Sequence, residues 1–114
     1  MQKKNQASRL DQSIRAYVGA IRWGNFETAV AFAVPRAGAQ AVNPASFDGI
    51  KVTGYTVRIK SVSEAVDEAD VHLSFSYYDD AQGTVGSIDQ DATWYLDRER
   101  KSWLMDDVLP RFKR

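Results

Sequence analysis

The sequence contains no cysteine and one histidine, His72. The lack of cysteine excludes disulfide frameworks, zinc–thiolate sites and cysteine nucleophiles, and one histidine excludes a multi-histidine metal site within one chain. No segment approaches the roughly 18 apolar residues that a membrane-spanning helix requires. The chain also lacks a glycine-rich phosphate loop and the H-E-x-x-H and G-x-S-x-G motifs. We therefore expect no metal site and no cofactor.

The composition is that of one globular domain. Of the 114 residues, 44% are hydrophobic and 26% are charged, and the two kinds are interspersed. A chain of this kind buries a core instead of staying disordered. We assign residues 1–114 to a single domain and predict that residues 1–7 form a disordered N-terminal tail.

The formal net charge is zero, but the charges are unevenly placed. Residues 1–60 carry nine basic and three acidic side chains, whereas residues 61–97 carry nine acidic and no basic ones. The basic residues are spread over a helix, a loop and both termini, and nucleic-acid binding requires a concentrated basic surface. We therefore predict no nucleic-acid partner. The acidic residues fall mainly in two turns, which is typical of solvated hairpin tips.

Two helices are predicted in the first 35 residues. Ser8 and Asp11 match a capping box, which places the start of the first helix near residue 8. Gly24 is expected to end this helix, Asn25 to cap the second helix, and Pro35 to end the second. The apolar stripe of the first helix comprises Leu10, Ile14, Tyr17, Val18 and Ile21.

From Val52 onward, apolar residues recur at every second position, which is typical of β-strands with one buried face. Four strands are predicted, and the connections between them are short and polar, which favours an antiparallel meander. Residues 36–49 are small and polar with glycine and proline, and they predict an irregular connection. The predicted fold class is α+β: two N-terminal helices packed on a four-stranded antiparallel meander sheet in two layers.

The meander predicts which strand residues face away from the helices. With a turn at residues 79–83, paired residue numbers sum to about 163, which places His72 opposite Asp91 and Ser74 opposite Asp89. A histidine–carboxylate pair can act in general-base catalysis, but this face is flat and wet, and catalysis favours a dry concave site. We therefore assign no catalytic residues and interpret this face as a homodimer surface. Its candidate residues are His72, Ser74, Ser76, Tyr78, Asp91, Thr93 and Tyr95.

The concave candidate site lies between the helices and the sheet. Aromatic walls with a few polar groups are typical of a pocket for a small apolar ligand, and aromatic residues at this spacing are equally typical of a core. An isomerase-type reaction needs a carboxylate in such a pocket, and Asp89 and Asp91 fall on the opposite face. The candidate pocket residues are Tyr17, Trp23, Phe26, Tyr55, Tyr77, Gln90 and Trp94.

Two sequence strings and the order of elements resemble the NTF2-like (cystatin-like) superfamily. The strings are RWGNF at residues 22–26, and WYLD at residues 94–97 followed by WLM at residues 103–105. The chain is similar in particular to small bacterial envelope proteins of this superfamily, often lipoproteins. The resemblance implies an export signal before Gln2 in the precursor, because residues 1–6 lack the apolar stretch of a signal peptide. The connection at residues 36–49 is shorter than in larger members, which have an extra strand and a third helix.

Superfamily members include isomerase-like enzymes, transport factors and association domains, so the fold does not specify the function. We expect a non-catalytic association or binding module of the bacterial cell envelope, periplasmic or held at the membrane by a lipid anchor outside this chain. The alternative is a small apolar-ligand binder or isomerase-like enzyme that uses the aromatic cavity, and the alternative location is the cytoplasm. An enclosed cavity beneath Gln90 would favour the ligand binder, and a tightly filled core would favour association.

Overall fold

Two helices precede four strands along the chain. The computed structural model describes residues 2–36, 38, 47 and 49–110, with side chains from residue 6 onward. The elements are α1 (Gln2–Arg22), α2 (Phe26–Val30), β1 (Ile50–Val62), β2 (Glu68–Asp79), β3 (Thr84–Asp97) and β4 (Ser102–Met105). The strands form one antiparallel sheet in the order β1-β2-β3-β4. The predicted α+β meander fold is confirmed. Most of the irregular connection predicted at residues 36–49 lies outside the described residues.

Helix α1 begins at Gln2, so residues 2–7 belong to the helix and the prediction of a disordered tail is corrected. Gln6 holds this first part of the helix in place. Its side chain donates to the Val66 carbonyl oxygen at 2.7 Å, and Trp103 Nε1 donates to the Gln6 carbonyl oxygen at 2.9 Å. Both partners are far from Gln6 in sequence. The local pattern around Ser8 therefore placed the start of the helix too late. No helix in the described part of the chain has the length and hydrophobicity needed to cross a bilayer.

The break between the helices lies where the sequence predicts it. Gly24 has φ +77°, a backbone conformation that favours glycine, and the Asn25 side chain caps α2. Helix α2 ends at Val30, before the proline at which the sequence predicts its end. The reason is a competing pairing, because Ala33 forms a parallel bridge with Met105 at the edge of β4.

The β2–β3 register follows the predicted pairing, with His72 opposite Asp91 and Ser74 opposite Asp89. The β1–β2 register shifts at two places, between Val52 and Gly54 and between Ile59 and Ser61. Shifts of this kind bend a strand and re-aim its side chains. Here they leave the polar side of β1 on the same face as His72. We call this face, which points away from the helices, the outer face.

One hydrophobic core fills the layer between the helices and the sheet. Each fully buried side chain of this size contributes about 1.5–3 kcal/mol through removal from water. The five predicted stripe residues of α1 are all buried, at 1% exposure or less. The largest fully buried side chains on the sheet are Trp94, Trp103, Phe75, Leu73 and Met105. The alternation that predicts the sheet therefore also selects its core face.

Asp79 lies in β2 and not in the predicted turn, and its exposure is 0%. The β2–β3 turn wraps around this residue. Asp79 Oδ1 accepts the Ala81 N–H at 3.0 Å, and its carbonyl oxygen accepts the Gly83 N–H at 2.8 Å. An aspartate that binds backbone N–H groups in this way stabilises a tight turn. Asp79 is therefore a structural residue of the hairpin.

Candidate functional site

A pair of buried polar side chains joins α1 to β3. The Tyr17 hydroxyl donates to Gln90 Oε1 at 3.0 Å, and Gln90 Nε2 donates to the Val108 carbonyl oxygen at 2.8 Å. Gln90 Nε2 also lies 3.3 Å from Asp107 Oδ2. We call Tyr17, Gln90 and Asp107 the buried polar centre. Gln90 faces the helices because of the strand alternation, and these partners satisfy it there.

Aromatic rings surround the buried polar centre. The Tyr17 ring lies edge-on to Trp94, with 5.6 Å between centroids and 74° between planes. Phe32 packs against both, at 6.4 Å from Tyr17 and 6.3 Å from Trp94. Trp94 Nε1 is buried and has no hydrogen-bond acceptor in the part of the chain that the structure describes. Apolar rings thus pack around Tyr17, and one of them, Trp94, carries an N–H donor that has no acceptor there.

The environment fixes the protonation state of Tyr17. Burial raises the pKa of its phenol far above the ordinary value, and the nearby charge of Asp107 adds to the rise. The hydrogen bond to Gln90 lowers the pKa in part. The phenol is therefore neutral at physiological pH and acts as a hydrogen-bond donor, not as a base.

Two of the predicted pocket residues lie outside this interior. Trp23 is 79% exposed and Tyr55 is 39% exposed. Trp23 sits in the break after α1, where the Arg22 guanidinium lies 4.5 Å from its ring centroid. Tyr55 faces the helix side of the sheet, but it belongs to the edge strand β1 and is only partly covered. The structure therefore brings Tyr17, Gln90 and Trp94 together and leaves Trp23 and Tyr55 apart from them.

The remaining two predicted pocket residues are buried at other contacts. Phe26 stacks on Phe47 with 4.7 Å between centroids and 20° between planes. Tyr77 is 6% exposed, and its ring crosses Gly86 on β3, so closely that an added Cβ there would lie 2.8 Å from the Tyr77 hydroxyl oxygen. Both residues support the packing of the layer around the centre.

The outer face carries the predicted histidine–carboxylate pair. His72 Nδ1 lies 2.8 Å from Asp91 Oδ1, and Lys60 Nζ lies 3.7 Å from the same oxygen. The hydrogen bond with His72 is the main cause that lowers the pKa of Asp91. Asp91 remains largely exposed, at 62% of its side chain. An open groove of about 300 Å³ runs past the pair, and its polar lining includes Asp70, Thr93 and Asp106.

A strap of residues 34–36 crosses one end of the outer face. The Arg36 guanidinium lies 4.6 Å from the centroid of the Tyr95 ring, and it pairs with Asp106 at 2.9 Å and Glu68 at 3.1 Å. The Tyr95 hydroxyl donates to the Val34 carbonyl oxygen at 2.6 Å. Tyr95, which the sequence places on the homodimer surface, is therefore partly covered by the chain itself.

Sequence reasoning missed Asp107 and Arg36. Asp107 follows β4 in a segment without periodicity, so no pattern placed it beside Gln90. Arg36 lies at the start of the irregular connection, and its partners are more than thirty residues away, with a sequence separation of 32 from Glu68 and 70 from Asp106. Across the described residues, no group of His, Cys, Asp or Glu has an arrangement that could hold a metal ion.

Two helices on one face of a four-stranded antiparallel meander, with a polar pair between the layers, define an α+β two-layer domain. No protein-family model and no curated protein matches the sequence. Among solved structures, the chain is similar to a ketosteroid isomerase-like protein from Erwinia carotovora atroseptica. The TM-score is 0.59 at 16% identity, and the match covers 88% of this chain and 90% of the other. This likeness confirms the predicted NTF2-like fold.

Proposed function

We propose that the domain is a non-catalytic association module that pairs with a second copy of itself through the outer face. One observation carries this proposal. Arg58 on β1 and Asp89 on β3 both lie on the outer face, and neither has an ion-pair partner within the described part of the chain. Lys60 and Asp91, by contrast, already form an ion pair on this face within one copy.

Two-fold symmetry makes these two unpaired charges complementary. In a two-fold interface the same surface is used by both copies. An axis that runs along β2, between the two sheets, places β1 of one copy over β3 of the other. Arg58 is level with His72 and Asp91 in the ladder, so it then lies over Asp91 of the second copy. Its long side chain would reach Asp89, two residues further along β3, and the contact would form twice. The centre of the interface is the row His72, Ser74 and Ser76, which is small and polar enough for close packing.

The hydrogen bonds of the buried polar centre favour an association module over an enzyme. The Tyr17 hydroxyl donates to Gln90 Oε1 and Gln90 Nε2 donates to the Val108 carbonyl oxygen, so these hydrogen-bonding groups are already used. Catalysis requires donors aimed at charge that develops on a substrate. The Tyr17 ring also packs edge-on against Trp94, with 5.6 Å between centroids.

A charge-swap series tests the homodimer. We expect Asp89→Arg to weaken association about tenfold or more, because it places two like charges opposite each other. The double variant Arg58→Asp with Asp89→Arg restores the opposite charges and should recover the dimer. Glu99→Arg, in the exposed β3–β4 turn, is the control. Sedimentation at increasing concentration is the measurement. A chain that stays monomeric throughout, or a dimer indifferent to Asp89→Arg, contradicts the proposal.

The location of the domain in the bacterial cell envelope is part of this proposal and rests on the sequence resemblance. The test is to express the natural gene with all residues upstream of Gln2 and to separate cytoplasm, periplasm and membrane. Recovery with the membrane or the periplasm supports the proposal. Recovery in the cytoplasm alone contradicts it and supports the alternative location.

A second candidate function is binding of a small apolar ligand beside Trp94. The observation that favours it is the buried Trp94 Nε1, which a ligand carbonyl oxygen would satisfy. Asp107 supplies a carboxylate near Gln90, as an isomerase-like reaction would require. The test is titration with a steroid enone, followed by tryptophan fluorescence in the parent chain and in Trp94→Phe. Saturable quenching that Trp94→Phe abolishes supports this function, and its absence supports the association module.

A further inference from the structure

One edge of β3 is paired over only part of its length. β4 pairs with β3 at residues 94–97, and the last hydrogen bond on that side joins the Asp106 N–H to the Thr93 carbonyl oxygen at 2.8 Å. On its other side β3 pairs with β2 from Thr84 to Tyr95. Residues 85–91 therefore have a strand on one side, and no described strand lies on the other. We call residues 85–91 the open β3 edge.

The register identifies the backbone groups that face this edge. In a strand, the N–H and the C=O of one residue point to the same side, and successive residues alternate. The Thr93 carbonyl points toward β4, so Asp91, Asp89, Ser87 and Val85 direct their backbone groups to the open side. No backbone hydrogen bond between these four residues and residues 107–110 occurs in the described chain. The open β3 edge thus presents a row of donors and acceptors with the spacing of a sheet ladder.

A groove accompanies part of the open β3 edge. It has a volume of about 340 Å³ and lies between residues 88–91 of β3 and residues 107–110. The hydrogen bond from Gln90 Nε2 to the Val108 carbonyl oxygen holds residues 107–110 beside the strand through a side chain. An added strand could therefore pair with the β3 backbone on one side. At one end of the groove it would also contact residues 107–110.

The aspartates along this edge determine which kind of strand can pair with it. Asp89, Asp91 and Asp107 border the groove, and Asp89 has no ion-pair partner among the described residues. Edge-to-edge pairing with a second copy would place aspartates opposite aspartates, and like charges directly opposite each other destabilise a sheet. A strand with lysine or arginine at alternate positions would instead place opposite charges across the ladder. Val85, which is 82% exposed, offers an apolar neighbour at the far end.

We infer that the open β3 edge binds an extended basic segment of a partner protein, which adds to the sheet as a further antiparallel or parallel strand. The recognition combines backbone pairing at Ser87 and Asp89 with carboxylates that flank the added strand. This surface uses the backbone edge of β3 and not the side-chain row of β2, and it shares Asp89 and Asp91 with the outer face. Arg58 belongs to the outer face alone, so a change at Arg58 distinguishes pairing of two copies from binding at the edge.

The test uses the full chain, labelled with nitrogen-15, and the peptide Lys-Val-Lys-Val-Lys-Val-Lys. We expect the amide hydrogens of Ser87, Asp89 and Asp91 to exchange about tenfold more slowly when the peptide is bound. The amides of Ile88 and Gln90, which point to β2, should not change and serve as internal controls. The matched peptide Glu-Val-Glu-Val-Glu-Val-Glu should bind about tenfold more weakly. N-methylation at alternate residues of the basic peptide should abolish the protection.

Two variants test this inference, and the second of them separates it from the homodimer. Asp89→Lys should lower the affinity for the basic peptide and raise it for the acidic one, and unchanged exchange in β2 verifies that the variant is folded. Arg58→Asp should disrupt pairing of copies and leave peptide binding unchanged. Equal binding of both peptides, no binding, or protection at His72 and Ser74 instead of the edge would overturn the inference.

Protection of the edge amides without peptide would also overturn it. If dilution removes this protection, the occupant is a second copy. If the double variant Arg111→Ser with Lys113→Ser removes it, the occupant is the chain's own basic segment after Pro110.

Discussion

The Tyr17 hydroxyl donates a 3.0 Å hydrogen bond to Gln90 Oε1 and so joins the first helix to the third strand through the middle of the core. Both residues are buried, at 0% and 6% exposure. A polar bond in this position orients the two layers, because an alternative packing of α1 on the sheet would leave both groups without a partner. The stability of the domain should therefore be sensitive to this pair.

Tyr17→Phe should destabilise the domain by about 1–3 kcal/mol, because Gln90 Oε1 then remains buried without its donor. Urea unfolding followed by circular dichroism measures the change. Tyr55→Phe is the matched control, since Tyr55 is 39% exposed, and it should change stability by less than about 0.5 kcal/mol. Equal effects of the two variants would show that the Tyr17 hydroxyl does not contribute.

The domain should lose stability in alkali. Burial raises the pKa of Tyr17 from its ordinary value of 10.0, so the folded chain keeps a proton that the unfolded chain releases. The stabilisation is complete below pH 10 and is lost as the pH rises above it. Tyr95, whose pKa burial also raises, acts in the same direction. Urea midpoints measured from about pH 8 to about pH 11 should fall, and less so in Tyr17→Phe. If the urea midpoint of Tyr17→Phe falls with pH as steeply as that of the parent chain, groups other than Tyr17 cause the loss of stability.

The domain should also lose stability in acid through Asp106. The Arg36 backbone N–H, at 2.8 Å, is the main cause that lowers the pKa of Asp106 from 3.8. A lowered pKa means that the stabilisation is present above this value and disappears as the pH falls through the folded-state pKa. Asp106→Asn should flatten the acid limb of the stability curve. Asp91→Asn is the comparison, because the pKa of Asp91 is also lowered but its side chain is largely exposed. A steeper loss in Asp106→Asn would refute this assignment.

Gly86→Ala should destabilise the domain, and Gly19→Ala should stabilise it. At Gly86 an added Cβ would lie 2.8 Å from the Tyr77 hydroxyl oxygen and 2.9 Å from the ring carbon that carries it, so the ring must move, at a cost of about 1–3 kcal/mol. At Gly19, inside α1, a Cβ meets nothing within 4 Å, and alanine gains about 1 kcal/mol in a helix. Thermal unfolding of both variants measures the two signs. A stabilised Gly86→Ala would show that Tyr77 does not close over this position.

Local patterns predicted the parts of the fold that depend on neighbours in sequence. The alternation in β2 and β3 and the short turn between them fix the pairing of His72 with Asp91, because a shift by one residue would turn every apolar side chain outward. Gly24 and Asn25 likewise mark the helix break through their own backbone preferences. The sheet, its core face and the outer face follow from such local signals.

The errors arise where distant contacts decide the structure. Gln6 extends α1 upstream because it bonds to residues around 66 and 103, and no periodicity of the first ten residues indicates this. Asp107 joins the buried polar centre only because residues 107–110 fold back beside Gln90. Trp23 matches a pocket in composition, but its place in the helix break exposes it. Predicting these contacts requires the tertiary structure.

The hydrogen bond between Trp103 and Gln6 spans 97 positions of the chain. The N-terminal helix therefore cannot dock completely until the last strand has left the ribosome exit tunnel. Synthesis from the amino end therefore releases α1 long before its partner in β4, and loop closure over such a distance slows folding. We expect the part of α1 that β4 contacts to stay uncovered until translation is nearly complete.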